Sequence, residues 1–191
     1  MDMEDKLRQI KLIAMDVDGV LTQGEIIYSS SGEEIKSFCI KDGPALKAAR
    51  IAGLHVAVIT GRKSAALERR MKELRIENLE MACRDKGASI RSLLDRLGLR
   101  RDEAAFIGDD LIDIPAFREC GFNIAVGDAC EDLKAMADHV TRAHGGRGAV
   151  REAIETILKA QDKWASAVDA LVNNYQRPVE AHAEPDNPAH Q

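Results

Sequence analysis

An acidic pair that follows an apolar run is the most constraining feature of this 191-residue chain. The run Ile10–Met15 is typical of a buried strand, and Asp16-Val17-Asp18-Gly19-Val20 follows it directly. Neighbouring carboxylates repel each other and lose solvation when buried, so a divalent cation is the simplest way to stabilise them. A polar turn explains Asp-x-Asp-Gly equally well on its own, because Asp and Gly are common turn residues. The pair therefore predicts a site only if partners occur elsewhere.

Strands and helices alternate along the chain, which indicates an α/β fold. The predicted strands are Leu12–Met15, His55–Ile59, Leu79–Ala82, Ala104–Ile107 and Phe122–Val126. The predicted helices are Pro44–Ile51, Ser64–Leu74, Lys86–Leu97, Ile114–Glu119, Glu131–Ala137 and Ala149–Ala160, with an optional extension of the last to Val172. This order predicts a Rossmann-like parallel sheet with helices on both faces.

One segment interrupts the alternation. Two short strand-like stretches, 25–28 and 34–38, flank the turn-rich Ser29-Ser30-Ser31-Gly32, so we expect a β-hairpin insertion over about residues 24–40. Because it follows the Asp16 loop, it should stand over the carboxyl edge of the sheet. It is too small for a separate domain, so the sequence predicts a single domain over residues 1–175. The last residues, 176–191, contain three prolines and little that is apolar, and we expect them to be disordered.

Composition excludes several classes of function. The net charge is -5 without any Lys/Arg-rich block, so no nucleic acid is expected as a partner. No stretch of about 18 apolar residues occurs, so no membrane span is expected, and the acidic start does not resemble a secretory signal. The four cysteines lack C-x-x-C spacing and are expected to be free thiols; they are Cys39, Cys83, Cys120 and Cys130. Together these features predict a cytoplasmic protein.

Polar groups of a consistent kind follow three of the predicted strands, and a lysine begins a helix near the same edge. They are Asp16 and Asp18, then Thr60, Gly61 and Arg62, then Asp109, Asp110 and Asp113, with Lys86 on the helix. Strand ends in a parallel sheet lie along one edge, about 5 Å apart. This set suits phosphoryl transfer, because carboxylates can bind magnesium, attack phosphorus and move protons, while a hydroxyl, amides and an ammonium stabilise phosphoryl oxygens. Each element alone is also consistent with a turn, a cap or a solvated lysine; only their joint occurrence favours a site.

On these motifs the sequence resembles the haloacid dehalogenase-like phosphohydrolases, over nearly the whole chain to about residue 160. The four matching motifs are Asp16-Val17-Asp18-Gly19-Val20, Val58-Ile59-Thr60-Gly61-Arg62, Lys86 and Gly108-Asp109-Asp110-Leu111-Ile112-Asp113. The resemblance implies that Asp16 is the nucleophile, Asp18 the general acid/base, and Thr60 and Lys86 phosphate ligands. It also implies Mg²⁺ on Asp16, the Asp18 main-chain carbonyl and Asp109, with Asp110 and Asp113 as supporting groups.

The hairpin in place of a cap domain, followed by Lys41-Asp42-Gly43, is similar to the small capless branch of that superfamily. Two further stretches, Gly32-Glu33-Glu34-Ile35-Lys36-Ser37-Phe38 and residues 145–152, resemble the 3-deoxy-D-manno-octulosonate 8-phosphate (KDO 8-phosphate) phosphatase family. This resemblance implies a magnesium-dependent phosphatase of lipopolysaccharide precursor biosynthesis that works through an aspartyl-phosphate. It also implies a homotetramer whose hairpins pair and whose neighbours help close each site. A flexible linker is the alternative reading of Gly145–Gly148.

The resemblance further implies a sugar-acid binding surface around the hairpin exit and the phosphate threonine. Its residues would be Asp18, Cys39, Ile40, Lys41, Asp42, Gly43, Lys47, Thr60, Gly61, Arg62, Arg70 and Lys86, with Arg147 reaching a neighbour's site. Lys47 and Arg70 are also consistent with solvated surface cations. Two positions depart from the pattern: Gln23 stands where an acid is expected, and Arg75 where a glycine is expected.

Three other functions remain open at this point. The substrate could be a related nine-carbon sugar-acid phosphate, because the residues at the pocket mouth decide this. A non-catalytic regulatory protein could keep the fold, although it would not need both Asp16 and Asp18. A phosphotransfer receiver domain also uses a strand-end aspartate and magnesium, but it would not need Asp18 followed by the Asp109-Asp110 pair.

Overall fold

A six-stranded parallel sheet forms the centre of the structure, a computed structural model that describes residues 2–176. In chain order the strands are β1 (Leu12–Met15), β2 (Ile27–Tyr28), β3 (Glu34–Ile35), β4 (His55–Ile59), β5 (Asn78–Glu80), β6 (Ala104–Gly108), β7 (Phe122–Ala125) and β8 (His139–Val140). The sheet has the order β5-β4-β1-β6-β7-β8, and every pair in it is parallel. This confirms the predicted Rossmann-like α/β fold.

Helices flank the sheet in two groups. They are α1 (Met3–Gln9), α2 (Asp42–Ile51), α3 (Ala65–Leu74), α4 (Lys86–Leu97), α5 (Ile114–Phe117), α6 (Glu131–Lys134), α7 (Ala149–Ala160) and α8 (Trp164–Gln176). Helix α2 packs on α7 and α8, whereas α4 packs on α5. Side-chain caps begin three of them: Asp2 accepts a hydrogen bond from Asp5 N at α1, Ser64 accepts one from Leu67 N at α3, and Asp85 accepts one from Ala88 N at α4.

Most predicted elements are confirmed, several of them to the residue, as for β1, β4, α4 and α7. Helix α1 and strand β8 were not predicted, because α1 buries only Leu7 and β8 is two residues long. The optional extension of α7 to Val172 is wrong as one helix. The chain turns after Ala160, where Asp162 adopts a left-handed φ of 56°, and helix resumes as α8.

The α3 terminus explains one departure from the expected pattern. Arg75 is the C-cap residue and has a φ of 55°, in the left-handed region that glycine adopts most easily. The position therefore has the backbone of a glycine cap, although an arginine occupies it.

Strand β1 lies between β4 and β6, so both of its edges are paired and all four of its residues are buried. The core continues into β6, where Phe106 meets Phe117 of α5 edge to face, with ring centroids 6.2 Å apart. This packing fixes the strand that leads into Asp16, the predicted nucleophile.

The predicted hairpin is present but its paired part is short. Strands β2 and β3 form an antiparallel pair in which Ile27 faces Ile35. Side chains alternate along residues 34–38: Glu34, Lys36 and Phe38 are partly covered, whereas Ile35 is exposed. Several large apolar side chains of this segment are exposed, namely Ile26, Ile27, Tyr28 and Ile35.

The predictions from composition have separate outcomes. All four cysteines are free, as expected. Within residues 2–176 no helix combines the length and apolar character that crossing a bilayer requires. The disorder predicted for the tail falls on residues 177–191, which lie outside the described part of the chain.

Candidate active site

A buried ion triad lies where β1 ends. Lys86, the first residue of α4, places Nζ 2.8 Å from Asp16 Oδ2 and 2.6 Å from Asp113 Oδ1. All three side chains are almost fully buried. Burying ions without partners is strongly unfavourable, so each of these charges depends on the others. The fold thus joins the ends of β1 and β6 through one lysine.

Three carboxylates converge on one point beside this lysine. Oxygen atoms of Asp16, Asp109 and Asp113 lie within 4.8 Å of one another. Both oxygens of Asp113 are engaged, because Oδ1 binds Lys86 and Oδ2 accepts a hydrogen bond from Asp109 N at 2.9 Å. By contrast, Asp16 Oδ1 is buried and has no hydrogen-bond partner. Asp16 and Asp109 can therefore offer oxygens to a hard divalent cation, with Asp113 behind them.

The electrostatics of the cluster agree with this geometry. Burial and the nearby Asp113 carboxylate raise the pKa of Asp16 to about 6, against the attraction of Lys86. Burial, followed by repulsion from Asp113 and Asp16, raises the pKa of Asp109 to about 8. Burial acts to lower the pKa of Lys86, but Asp16 and Asp113 outweigh it and the pKa is raised. The site holds more negative charge than one lysine balances, which favours a bound cation.

Asp110 plays a different part from its neighbours. Its exposed side chain accepts a hydrogen bond from Leu111 N and begins a single 3₁₀ turn that ends at Asp113. The turn brings the Asp113 carboxylate back under the amides of residues 109 and 110. Asp110 thus shapes the loop that aims Asp109.

Thr60 directly follows β4 at the carboxyl edge of the sheet, and its side chain is buried. Its hydroxyl oxygen accepts a hydrogen bond from Arg62 N at 3.2 Å, and its carbonyl accepts one from Cys83 N at 3.0 Å. These contacts hold the Thr60-Gly61-Arg62 turn against the segment that leads into α4. The turn therefore holds the Thr60 hydroxyl and the Gly61 and Arg62 backbone at the carboxyl edge, with the Arg62 amide directed at that hydroxyl.

The hairpin reaches the second aspartate of the motif, which sequence reasoning did not foresee. Lys36 Nζ donates a hydrogen bond to Asp18 Oδ1. Arg62 Nε lies 3.7 Å from Asp18 Oδ2, while Arg62 Nη2 donates a 2.6 Å hydrogen bond to Glu34 Oε1. The alternation of Glu34, Lys36 and Phe38 could have indicated that these side chains face inward, because one strand face must cover the body.

The glycine-rich loop after β8 is packed, not a flexible linker. Gly146 N donates a 2.8 Å hydrogen bond to Val20 O, and Gly145 N donates one to Asp128 Oδ1. A Cβ at Gly145 would lie 1.6 Å from Gly19 O, so only glycine permits this approach. Arg147 Nε donates to Gln23 Oε1 of the same chain. The loop thus supports the turn that follows Asp18.

The residues predicted for substrate binding fall into two groups. Asp18, Thr60, Gly61, Arg62 and Lys86 lie together at the carboxyl edge, and Ile40 and Lys41 are exposed at the hairpin exit with Cys39 half-buried. The Asp42 carboxylate, however, accepts a hydrogen bond from Arg151 N at 2.9 Å and so caps α7. This contact favours a structural part for its side chain.

Two predicted cations lie elsewhere. Lys47 Nζ donates a 2.9 Å hydrogen bond to the Tyr175 hydroxyl of α8. It lines a cleft of about 480 Å³ between α2, α3 and α8. Arg70 pairs with Glu73 at 3.1 Å, and its guanidinium covers Gly43, where a Cβ would lie 2.9 Å from Arg70 Nη2. Within residues 2–176, neither cation contacts the acidic cluster.

Comparison with known proteins places this arrangement in context. A family model described as haloacid dehalogenase-like hydrolase matches residues 81–154. The 3-deoxy-D-manno-octulosonate 8-phosphate phosphatase of Haemophilus influenzae is 43% identical over 161 residues, covering 84% of this chain and 89% of that protein. The corresponding phosphatase of Escherichia coli K12 is 41% identical over 166 residues, with 87% and 88% covered.

Solved structures agree with these relatives. The Moraxella catarrhalis 3-deoxy-D-manno-octulosonate 8-phosphate phosphatase, in complex with magnesium, phosphate and KDO, superposes with a TM-score of 0.84 at 45% identity and covers 91% of this chain and 97% of that one. The cobalt-bound Haemophilus influenzae enzyme superposes with a TM-score of 0.81 at 42% identity, covering 84% and 94%.

The parallel sheet, with its strand-end aspartates and buried lysine, defines a hydrolase of the haloacid dehalogenase-like class. Identity above 40% over most of its length makes the assignment narrower: the chain belongs to the family of 3-deoxy-D-manno-octulosonate 8-phosphate phosphatases.

Proposed function

We propose that this protein hydrolyses 3-deoxy-D-manno-octulosonate 8-phosphate to the free sugar acid and phosphate through an aspartyl-phosphate on Asp16. The observation that carries the proposal is the buried Asp16–Lys86 pair beside Asp109, in a chain that is 45% identical to a phosphatase bound to magnesium, phosphate and KDO. A receiver domain would not need the second motif aspartate, Asp18, at the mouth of this site.

Asp16 and Asp109 would hold Mg²⁺ together with the Asp18 main-chain carbonyl, and Asp110 and Asp113 would support them. Two observations support this assignment: the buried Asp16 Oδ1 has no hydrogen-bond partner, and the raised pKa of Asp109 reports negative charge that Lys86 alone does not balance. When bound, the cation supplies positive charge that neutralises phosphoryl oxygens.

The other catalytic roles belong to side chains and backbone amides of the protein. A carboxylate oxygen of Asp16 forms a bond to phosphorus while the bond between phosphorus and the sugar oxygen breaks. Asp18 donates a proton to that oxygen, then accepts one from the water that attacks the aspartyl-phosphate, which releases phosphate and restores Asp16. The Lys86 ammonium and the Thr60 hydroxyl, with the Gly61 and Arg62 amides, stabilise the phosphoryl oxygens.

The sugar acid would lie over the hairpin exit, against Cys39, Ile40 and Lys41, with Arg62 nearest its carboxylate. Asp42, Gly43, Lys47 and Arg70 stay in this proposed surface only through the family resemblance, because their contacts point elsewhere. The four free thiols support a reducing, cytoplasmic setting.

We also propose that the protein assembles as a homotetramer. Exposed apolar side chains on the hairpin support it, because large apolar patches on a soluble domain mark contact surfaces. We expect Ile27→Lys to lower the particle mass in light scattering, since it would bury a charge between hairpins. Ile51→Lys, on the partly exposed end of α2, is the matched control and should keep the parental mass. A parental mass for both variants would contradict the hairpin as the contact.

The activity is tested by phosphate release from a panel of phosphate esters, with and without a chelator. The eight-carbon sugar-acid phosphate should have the highest kcat/KM, and the chelator should abolish release. A higher kcat/KM on a nine-carbon sugar-acid phosphate would reassign the substrate. Absence of magnesium-dependent release from every ester would contradict the phosphatase itself.

A further inference from the structure

We propose that Lys36 is a positioning residue for Asp18. Through this contact, an ordered hairpin holds in place the carboxylate that transfers the proton. The inference rests on the proposed function and concerns a residue outside the motifs that carry it. Lys36 belongs to the hairpin, whereas Asp18 belongs to the turn after β1, so their contact joins two separate parts of the fold.

The burial of Lys36 is unusual for its location. Its side chain is only 3% exposed, although Ile35, the residue before it and the last of β3, is exposed. Lysine almost never becomes buried without a partner. Here the partner is Asp18 Oδ1, with Glu34 Oε1 at 3.7 Å as a second carboxylate. The ammonium is thus directed at the aspartate and away from solvent.

The second oxygen of Asp18 faces a different cation. Arg62 Nε lies 3.7 Å from Asp18 Oδ2, and its Nη2 is hydrogen bonded to Glu34 Oε1 at 2.6 Å. Glu34 therefore ties both cations together, and each carboxylate oxygen of Asp18 has its own counter-charge. Such a clamp restricts rotation of the carboxylate about its side-chain bonds.

Restricting that rotation has a chemical consequence. Proton transfer requires the donor and acceptor to lie within hydrogen-bond reach, and small displacements lower the rate strongly. Lys86 and Asp113 hold Asp16 from the core side, but among residues 2–176 only Lys36 and Arg62 pair with Asp18. A hairpin that loosens would release Asp18 while leaving Asp16 in place.

The test compares Lys36→Met, Lys36→Arg and the parent, with Lys72→Met as a matched control on the exposed face of α3. Methionine keeps the length and apolar stem of lysine without the charge. For the proposed sugar-acid phosphate, Lys36→Met should lower kcat by roughly 10- to 100-fold with little change in KM, because general acid–base catalysis contributes about 10²–10⁴-fold. Lys36→Arg should recover part of the loss, and Lys72→Met should match the parent.

A chromogenic ester separates positioning from a general loss of structure. The aryl oxygen of p-nitrophenyl phosphate leaves without protonation, so transfer to Asp16 needs no proton from Asp18, whereas hydrolysis of the aspartyl-phosphate still needs the base. Lys36→Met should therefore keep a rapid burst of p-nitrophenol and show a slow steady state. Its mass in light scattering should equal that of the parent.

Other results would overturn the inference. A raised KM with unchanged kcat would make Lys36 a substrate ligand, and loss of the burst would assign it to the phosphoryl site or to assembly. If Lys36→Met kept the parental kcat, Lys36 would have no role in turnover. These failures differ from failure of the proposed function, in which the parent itself would release no phosphate.

Discussion

Lys86 Nζ contacts Asp16 Oδ2 at 2.8 Å and Asp113 Oδ1 at 2.6 Å, so a single buried ammonium joins the carboxylates that follow β1 and β6. Two acids that would otherwise repel each other are held on either side of one cation. Because Asp113 also accepts hydrogen bonds from the Asp109 and Asp110 amides, the lysine indirectly fixes the loop that aims Asp109.

Replacing Asp16, the proposed nucleophile, should remove turnover without unfolding the protein. Asp16→Asn should lower phosphate release by about a thousandfold or more, because the amide cannot form the acyl phosphate. Its shape is unchanged and Lys86 keeps Asp113, so circular dichroism and particle mass should match the parent. Asp95→Asn, the same substitution on the exposed face of α4, is the control and should keep the parental turnover. Parental turnover in Asp16→Asn would show that another group attacks phosphorus.

Removing the lysine should destabilise the protein in a pH-dependent way. Lys86→Met leaves Asp16 and Asp113 buried without their cation, which costs about 3–5 kcal/mol in comparable buried pairs. Without Lys86 the folded-state pKa of Asp16, which burial and the Asp113 carboxylate already raise, rises further, so the folded state binds protons more tightly than the unfolded chain. The loss of stability should therefore grow as pH rises from 5 to 8. Urea unfolding at both pH values, with Lys72→Met as control, measures it; an equal loss at both would contradict the argument.

Magnesium affinity should depend on pH, because the cation competes with protons. In the metal-free protein the pKa values of Asp16 and Asp109 are raised to about 6 and about 8, so both carboxyls gain protons as pH falls through these values. Affinity should therefore weaken from pH 8 to pH 6, by up to about tenfold per proton released and per pH unit. Titration calorimetry in buffers of different ionisation enthalpy measures the released protons. Asp109→Asn should abolish most of this release; equal affinity at both pH values would refute the prediction.

A substitution at Asp42 tests whether its side chain has a structural role at α7 or binds substrate. Burial raises its pKa to about 6, against the Arg151 amide, from an ordinary value of about 4. The folded state thus binds more protons than the unfolded state between pH 4 and 6, and the resulting penalty is fully present above about pH 6. Asp42→Asn keeps the acceptor for Arg151 N without the charge, but it places an amide at the buried Oδ2 position, which has no hydrogen-bond partner, so it should raise stability at pH 8 by at most roughly 1–3 kcal/mol, with no gain below about pH 4.

Unfolding at pH 4 and pH 8 measures that difference, and kcat/KM measured in parallel tests the substrate role. A fall in kcat/KM with raised stability would restore Asp42 to the substrate surface. A less stable variant at pH 8 would mean that the N-terminus of α7 stabilises the Asp42 charge by more than burial disfavours it.

The contact between the glycine loop and the Asp18 turn should not tolerate a methyl group. Gly145→Ala would bring Cβ to 1.6 Å from Gly19 O, so the loop must move and Asp18 with it. We expect a loss of roughly 1–3 kcal/mol in stability and a lower kcat. Gly148→Ala is the comparison variant, which introduces backbone strain without a clash. The φ of Gly148 is +103°, and a Cβ there would meet no heavy atom within 4 Å. Similar kcat values in both variants would rule out the clash as the cause.

The α/β alternation, the ends of β1, β4 and α4, and the placement of Asp16, Thr60, Lys86 and Asp109 at one edge of the sheet could all be predicted from the amino-acid sequence. This was possible because these properties are local: periodicity defines each strand, and parallel strands place their carboxyl ends together. The tertiary structure alone decided which partner each side chain meets. The Lys36 ammonium pairs with Asp18, and the Asp42 carboxylate caps α7. The Lys47 ammonium donates a hydrogen bond to the Tyr175 hydroxyl, and the Gly145 backbone packs against Gly19 O. These contacts join residues far apart in the chain, and their geometry depends on how the hairpin, helices and loops pack, which no local pattern encodes.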